Sequence, residues 1–84
     1  MIISKPLLAK IVAPILMRSV DDIIDAPTLQ DFGVHSLEMV EIISEFEDRF
    51  GISISLKESP LLFDLDNAVQ FIQEKMAARA NPAR

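Results

Sequence analysis

The chain contains no cysteine, no tryptophan and no tyrosine. Without thiols there are no disulfide staples, no zinc ribbon and no thiol nucleophile, and a reducing compartment is compatible with such a composition, so the cytoplasm is the expected location. Phenylalanine, five times, is the only aromatic residue in 84 positions. Leu, Ile, Val and Met must therefore supply a core that lies near the lower limit of what one domain stabilises without disulfides or metal, a mixture that suits a small helical bundle.

Long apolar runs are missing as well. Leu7 to Met17 is mostly apolar behind Lys5, but Lys10 and Pro14 interrupt it and no small-residue cleavage site follows. The run is far short of the roughly 20 apolar residues of a membrane span, so neither a signal peptide nor a membrane helix is expected. No internal repeat, linker or low-complexity tract divides the chain. One domain over residues 1–78 is expected, with a flexible tail over 79–84.

Positive charge is absent from the middle of the chain. Between Asp21 and Asp48 there are nine acidic residues and no Lys or Arg, within a net charge of −5. A field of one sign over a third of the sequence repels nucleic-acid phosphates and anionic lipid and steers encounters towards basic protein surfaces. A solvated face that serves solubility is the other explanation.

The apolar residues that are present repeat at helical spacing. Leu8, Ile11, Val12, Ile15 and Leu16 predict a first helix over about Lys5 to Met17, with Ser4 as cap and Pro6 in the first turn; Pro14 predicts a bend or an early end. Arg18 to His35 keeps no period and reads as a long ordered loop pinned by Ile23, Ile24, Leu29 and Phe32. A second helix, about Leu37 to Phe50, is opened by Ser36 as N-cap and closed by Gly51. Met39, Ile42, Ile43, Phe46 and Phe50 form its buried face, and Leu37 is left on the acidic side. Ile52-Ser-Ile-Ser is too short for a strand and reads as a connector burying Ile52 or Ile54. Ser59-Pro60 opens a single turn over Leu61 to Phe63, and Asp64 caps a last helix that buries Leu65, Val69, Ile72 and Met76. From Ala77 onwards fraying is expected.

Ser36 is the residue with the most chemistry around it. A serine at a helix start is most simply a cap worth about 1 kcal/mol. The same place favours a covalently attached phosphate, because free N–H groups and the helix dipole attract anions. A catalytic serine with His35 as base is rejected, since the chain has one histidine and no strand-to-helix elbow to build an oxyanion hole. One histidine, no cysteine and scattered carboxylates make no transition-metal set, so no metal is expected. His35 is left as a solvated turn residue that contributes to recognition.

Asp31-Phe32-Gly33-Val34-His35-Ser36-Leu37, running into an acidic amphipathic segment that ends in Phe50-Gly51-Ile52, resembles the acyl and peptidyl carrier proteins of fatty acid, polyketide and nonribosomal peptide synthesis. Asp25-Ala26-Pro27-Thr28-Leu29 and the segment from Leu65 to Ile72 extend the likeness to about Ile11 through Met76. The resemblance implies an all-α, four-helix carrier bundle of three main helices and one short one, with a long loop between the first two. It implies that a phosphopantetheinyl transferase attaches 4′-phosphopantetheine from coenzyme A to Ser36, with Asp31, Gly33, His35 and Leu37 recognised around it. It implies a non-catalytic carrier, whose cargo is held as a thioester and whose acyl-loading, condensing and modifying enzymes dock on Leu37, Glu38, Val40, Glu41, Ser44, Glu47 and Asp48. A cleft between the second and third helices, lined by Val40, Ile54, Leu61, Leu62 and Ala68, is expected to take a short acyl chain.

Fatty acid carriers usually have Asp before the serine, whereas this chain has His35, as many peptidyl carriers and some polyketide carriers do. The acidic second helix favours a discrete acyl carrier for a polyketide or fatty-acid-type pathway, and a monomer is expected. An aminoacyl or peptidyl carrier is the alternative, and a plain protein-interaction bundle is a distant third.

Overall fold

Ser4 opens the first helix: its hydroxyl oxygen accepts from the Leu7 N–H at 3.3 Å, and Pro6 occupies the first turn where its missing N–H is harmless. The structure is a computed structural model that describes residues 2–80. Helix α1 (Lys5–Leu16) buries Leu8, Ala9, Ile11, Val12, Ala13 and Leu16 on one face. It runs through Pro14 and stops two residues later, where Met17 turns left-handed at φ 58°. That is one residue earlier than the expected end.

The stretch expected as an unbroken loop contains helix α2 (Val20–Asp25) and a 3₁₀ turn (Leu29–Phe32). Ser19 caps α2 by accepting from the Asp22 N–H at 3.1 Å, and Asp21 and Asp22 sit at the positive end of its dipole. Six residues are too few to show a helical period, which is why the pattern alone hid it. The apolar pins behave as expected: Ile23 and Leu29 are buried, and Ile24 and Phe32 are half-buried. Arg18 adds a cation–π contact over the Phe32 ring at 5.0 Å.

Helix α3 (Ser36–Phe50) buries Met39, Ile42, Ile43, Phe46 and Phe50 as the spacing predicts, and Gly51 ends it at φ 63°. Ile52 and Ile54 are both buried beneath the extended connector. The next element starts earlier than Ser59. A 3₁₀ helix (Leu56–Leu62) begins behind Ser55, whose N–H donates to Glu58 Oε1 at 2.9 Å, and Pro60 lies inside it. Ser-x-x-Glu is the signature of a capping box and was the signal for this start.

Helix α4 (Leu65–Ala80) is capped by Asp64, whose Oδ1 accepts from Asp66 and Asn67 N–H groups at 3.0 and 3.4 Å. Leu65, Ala68 and Ile72 are buried, with Val69 and Met76 packed against the core. The helix continues past Ala77, and Arg79 donates from Nη1 to the Phe50 and Gly51 carbonyls, both at 2.9 Å. These bonds satisfy carbonyls at the end of α3, and a Cβ on Gly51 would collide with the same guanidinium. The boundary expected at residue 78 thus falls inside α4, and the tail beyond Ala80 lies outside the described residues.

The product is an all-α bundle in which α1 packs against α2, α3 and α4, and the 3₁₀ helix Leu56–Leu62 bridges α3 and α4. Phe46, fully buried at its centre, contributes on the order of 2–3 kcal/mol by leaving water. No described residue belongs to a strand. No helix of the described residues is long and apolar enough to cross a membrane.

Candidate functional site

The head of α3 is set by the chain that leads into it. Leu29 N–H donates to the Phe63 carbonyl at 2.8 Å, tying the first 3₁₀ turn to the far end of the second 3₁₀ helix. Gly33 then turns left-handed at φ 64°, a conformation glycine adopts without strain, and donates to the Gln30 carbonyl at 3.0 Å. His35 follows in an extended conformation and takes the capping position that the sequence assigned to Ser36. Glu38, not a serine hydroxyl, answers it: its Oε1 accepts from the His35 N–H at 2.9 Å.

Ser36 is therefore the first residue of the helix rather than its cap. Its side chain is exposed, and no hydrogen bond among the described residues engages its hydroxyl. The backbone N–H groups of the first turn point the positive end of the helix dipole at this spot. No group of three metal-ligating side chains occurs among the described residues.

Beside Ser36 lies a cavity of about 260 Å³, lined by Val34, His35, Ser36, Met39, Val40, Leu56, Ser59 and Phe63. Of the residues expected to line a cleft here, Val40 does so. Ile54, Leu62 and Ala68 point into the core and are buried, and Leu61 faces a separate groove with Asn67, Gln70, Phe71 and Glu74. The difference follows from the early start of the second 3₁₀ helix: beginning at Leu56, it directs Leu56, Ser59 and Phe63 towards α3. Their spacing of three and four was the available signal, obscured by reading Ile52 to Ser55 and Ser59-Pro60 as separate pieces.

The outer face of α3 divides the acidic residues into two kinds. Leu37 (71% exposed), Val40 (43%), Glu41, Ser44 and Asp48 share one exposed stripe at helical spacing. Glu38 and Glu47, at the edges of that stripe, are half-buried and occupied: Glu38 by the His35 N–H, Glu47 Oε2 by the Ile54 N–H at 2.9 Å. Glu45 pairs with Arg49 at 3.0 Å within the helix. Asp31 stands exposed on the first 3₁₀ turn, before Gly33. Glu58, on the 3₁₀ helix Leu56–Leu62, is held below its ordinary carboxyl range first by the Ser55 N–H and then by the Lys75 ammonium, 3.1 Å away.

Comparison with known proteins adds a family to this geometry. Residues 6–73 match the model of the family described as "Phosphopantetheine attachment site". The chain is 37% identical over 51 residues to an acyl carrier protein of Chloroherpeton thalassium, covering 61% of this chain and 64% of that protein. It is 33% identical over 51 residues to an acyl carrier protein of Solidesulfovibrio magneticus (61% and 65% covered). Against an acyl carrier protein of Campylobacter hominis it is 34% identical over 50 residues (60% and 63%). The chain spans a little less than two thirds of the length of these curated relatives.

Proposed function

This chain belongs to the phosphopantetheine attachment site family, and on that premise we propose that Ser36 is the residue that receives 4′-phosphopantetheine. The observation that carries the proposal is the free, exposed Ser36 hydroxyl at the first position of α3, on the rim of an apolar cavity. The residues fit the group. The N-terminal N–H groups of α3 favour a phosphodiester at Ser36, and Val34, Met39, Val40, Leu56 and Phe63 offer hydrocarbon to whatever the arm carries. When bound, the group supplies a terminal thiol that holds an acyl group as a thioester. The chain itself accepts, presents and shelters, and performs no bond-making of its own.

Glu41, Ser44 and Asp48 surround the exposed Leu37 and Val40 with polar and acidic groups, an apolar centre with a charged rim. Rim charges raise encounter rates with basic surfaces and leave dissociation fast, which suits a carrier that visits several enzymes in turn. The partners we assign to this stripe are a phosphopantetheinyl transferase and the loading, condensing and modifying enzymes of an acyl-assembly pathway of polyketide or fatty-acid type. A monomeric, cytoplasmic carrier is the form that the cysteine-free, acidic composition supports. His35 before Ser36 favours a second reading, an aminoacyl or peptidyl carrier. Charging the modified protein with an acyl-transferring enzyme or with an amino-acid-adenylating enzyme separates the two by which one loads it.

The absence of cysteine makes the attachment itself easy to follow. After incubation with coenzyme A and a broad-specificity transferase and removal of the free coenzyme, a thiol reagent should titrate one thiol per chain, and none in Ser36→Ala. A thiol that persists in the variant would place the arm elsewhere.

A further inference from the structure

The cavity at the head of α3 is hydrocarbon except at three residues. His35 and Ser36 are exposed and stand at its mouth, whereas Ser59 is half-buried on the 3₁₀ helix Leu56–Leu62 that forms the opposite wall. The neighbouring Ser55 hydroxyl is spent on its cap, donating to Glu58 Oε1 at 3.2 Å. The Ser59 hydroxyl makes no hydrogen bond to another described residue and its oxygen is open to solvent rather than buried. A saturated chain entering the cleft would cut the hydroxyl off from solvent without giving it a partner, which is unfavourable, while a chain that brings its own oxygen would supply a hydrogen bond in solvent's place.

The space is also limited. A volume of about 260 Å³ lies under the range of about 300–1,000 Å³ usual for ligand pockets. Leu56 (67% exposed) and Val40 form an open apolar lip above it.

Resting on the attachment of the arm at Ser36, we propose that the cleft shelters short acyl groups bearing a hydroxyl or keto oxygen, and that Ser59 selects them by hydrogen bonding to that oxygen. Ser59 is thus a specificity residue for cargo. It touches no reacting atom and acts by favouring the sheltered position of one class of acyl group over plain alkyl chains of equal length.

The test loads ¹⁵N-labelled protein from hexanoyl-, 3-hydroxyhexanoyl- and dodecanoyl-coenzyme A in turn. Two quantities are read: amide shifts at Val34, Met39, Leu56 and Ser59 relative to the uncharged holo protein, and the rate of thioester cleavage by hydroxylamine, divided by that of the same acyl group on free pantetheine. The 3-hydroxyhexanoyl form should shift these amides most and be cleaved roughly fivefold more slowly than the hexanoyl form, the effect of one neutral hydrogen bond. The dodecanoyl form should be protected least. Ser59→Ala, with its helical circular dichroism retained, should erase the difference, and Ser59→Thr, which keeps a hydroxyl, should restore it. Equal behaviour of the hydroxylated and saturated cargoes, or a difference that survives Ser59→Ala, would overturn the proposal. Shifts of equal size in the uncharged holo protein relative to the apo protein would make the arm itself the occupant and overturn it too. Failure to gain the arm at Ser36 would instead overturn the attachment on which it rests, and is seen before any cargo is added.

Discussion

Ser36 and Glu47 exchange roles when geometry is set beside sequence pattern. A serine at a helix start is ordinarily a cap, but here His35 holds that position and the Ser36 hydroxyl is free. Ser36→Ala should therefore change stability by less than about 0.5 kcal/mol in urea denaturation, as at an ordinary surface site. A loss of about 1 kcal/mol or more would mean that the hydroxyl caps after all. Glu47, by contrast, looked like a partner-facing charge and spends its carboxylate on the Ile54 N–H. Glu47→Ala should cost about 1–2 kcal/mol, whereas Glu41→Ala, on the exposed stripe, should be close to neutral in the same measurement. The two glutamates differ in a way that no helical wheel displays, because the distinction lies in where the connector after Gly51 passes.

Among the elements, α1, α3 and α4 were legible because each is long enough for its apolar residues to repeat, and because Ser4, Gly51 and Asp64 mark ends that the structure uses. The short elements were not. Helix α2 has one fully buried side chain, Ile23, and no room for a period. The 3₁₀ helix Leu56–Leu62 was legible only through its capping pair Ser55 and Glu58, and missing it displaced the expected cleft from its place beside Ser36. Glu58 also gives this element a pH dependence. Its carboxyl lies below the ordinary value of 4.5, first because the Ser55 N–H donates to it and then because Lys75 does. A carboxylate with a lowered folded-state pKa stabilises above its unfolded pKa, and that contribution is lost as pH falls through the folded value. Glu58→Gln should therefore be less stable than the wild type at pH 7, and the gap should narrow below about pH 4.5. Thermal melts at pH 7 and pH 3 check this, and a gap that stays constant would remove Glu58's charge from the explanation.

On the scale of the whole molecule, charge is segregated. The nine acidic residues between Asp21 and Asp48 face no Lys or Arg of their own segment. Among the described cations, Lys5, Arg49 and Lys75 are paired with carboxylates, and Arg79 is bonded to carbonyls. Around the exposed Leu37, Glu41 and Asp48 form an acidic rim, and neither carboxylate is in an ion pair among the described residues. Reversing either charge to Lys should weaken binding to the phosphopantetheinyl transferase, and more so at low salt than near 0.15 M, where screening acts over about 8 Å. Binding that falls by the same factor at both salt concentrations would point to a damaged fold rather than a lost rim charge. The acidic window was plain in the sequence, but which of its members are free to meet a partner depended on hydrogen bonds made across the bundle.

The central claim is that the free hydroxyl of Ser36 is a tether. Intact mass spectrometry after incubation with coenzyme A and a broad-specificity transferase tests it most directly. The wild-type chain should gain the mass of one phosphopantetheine and the folded Ser36→Ala variant none. An unchanged wild-type mass, or the same gain in the variant, would contradict it.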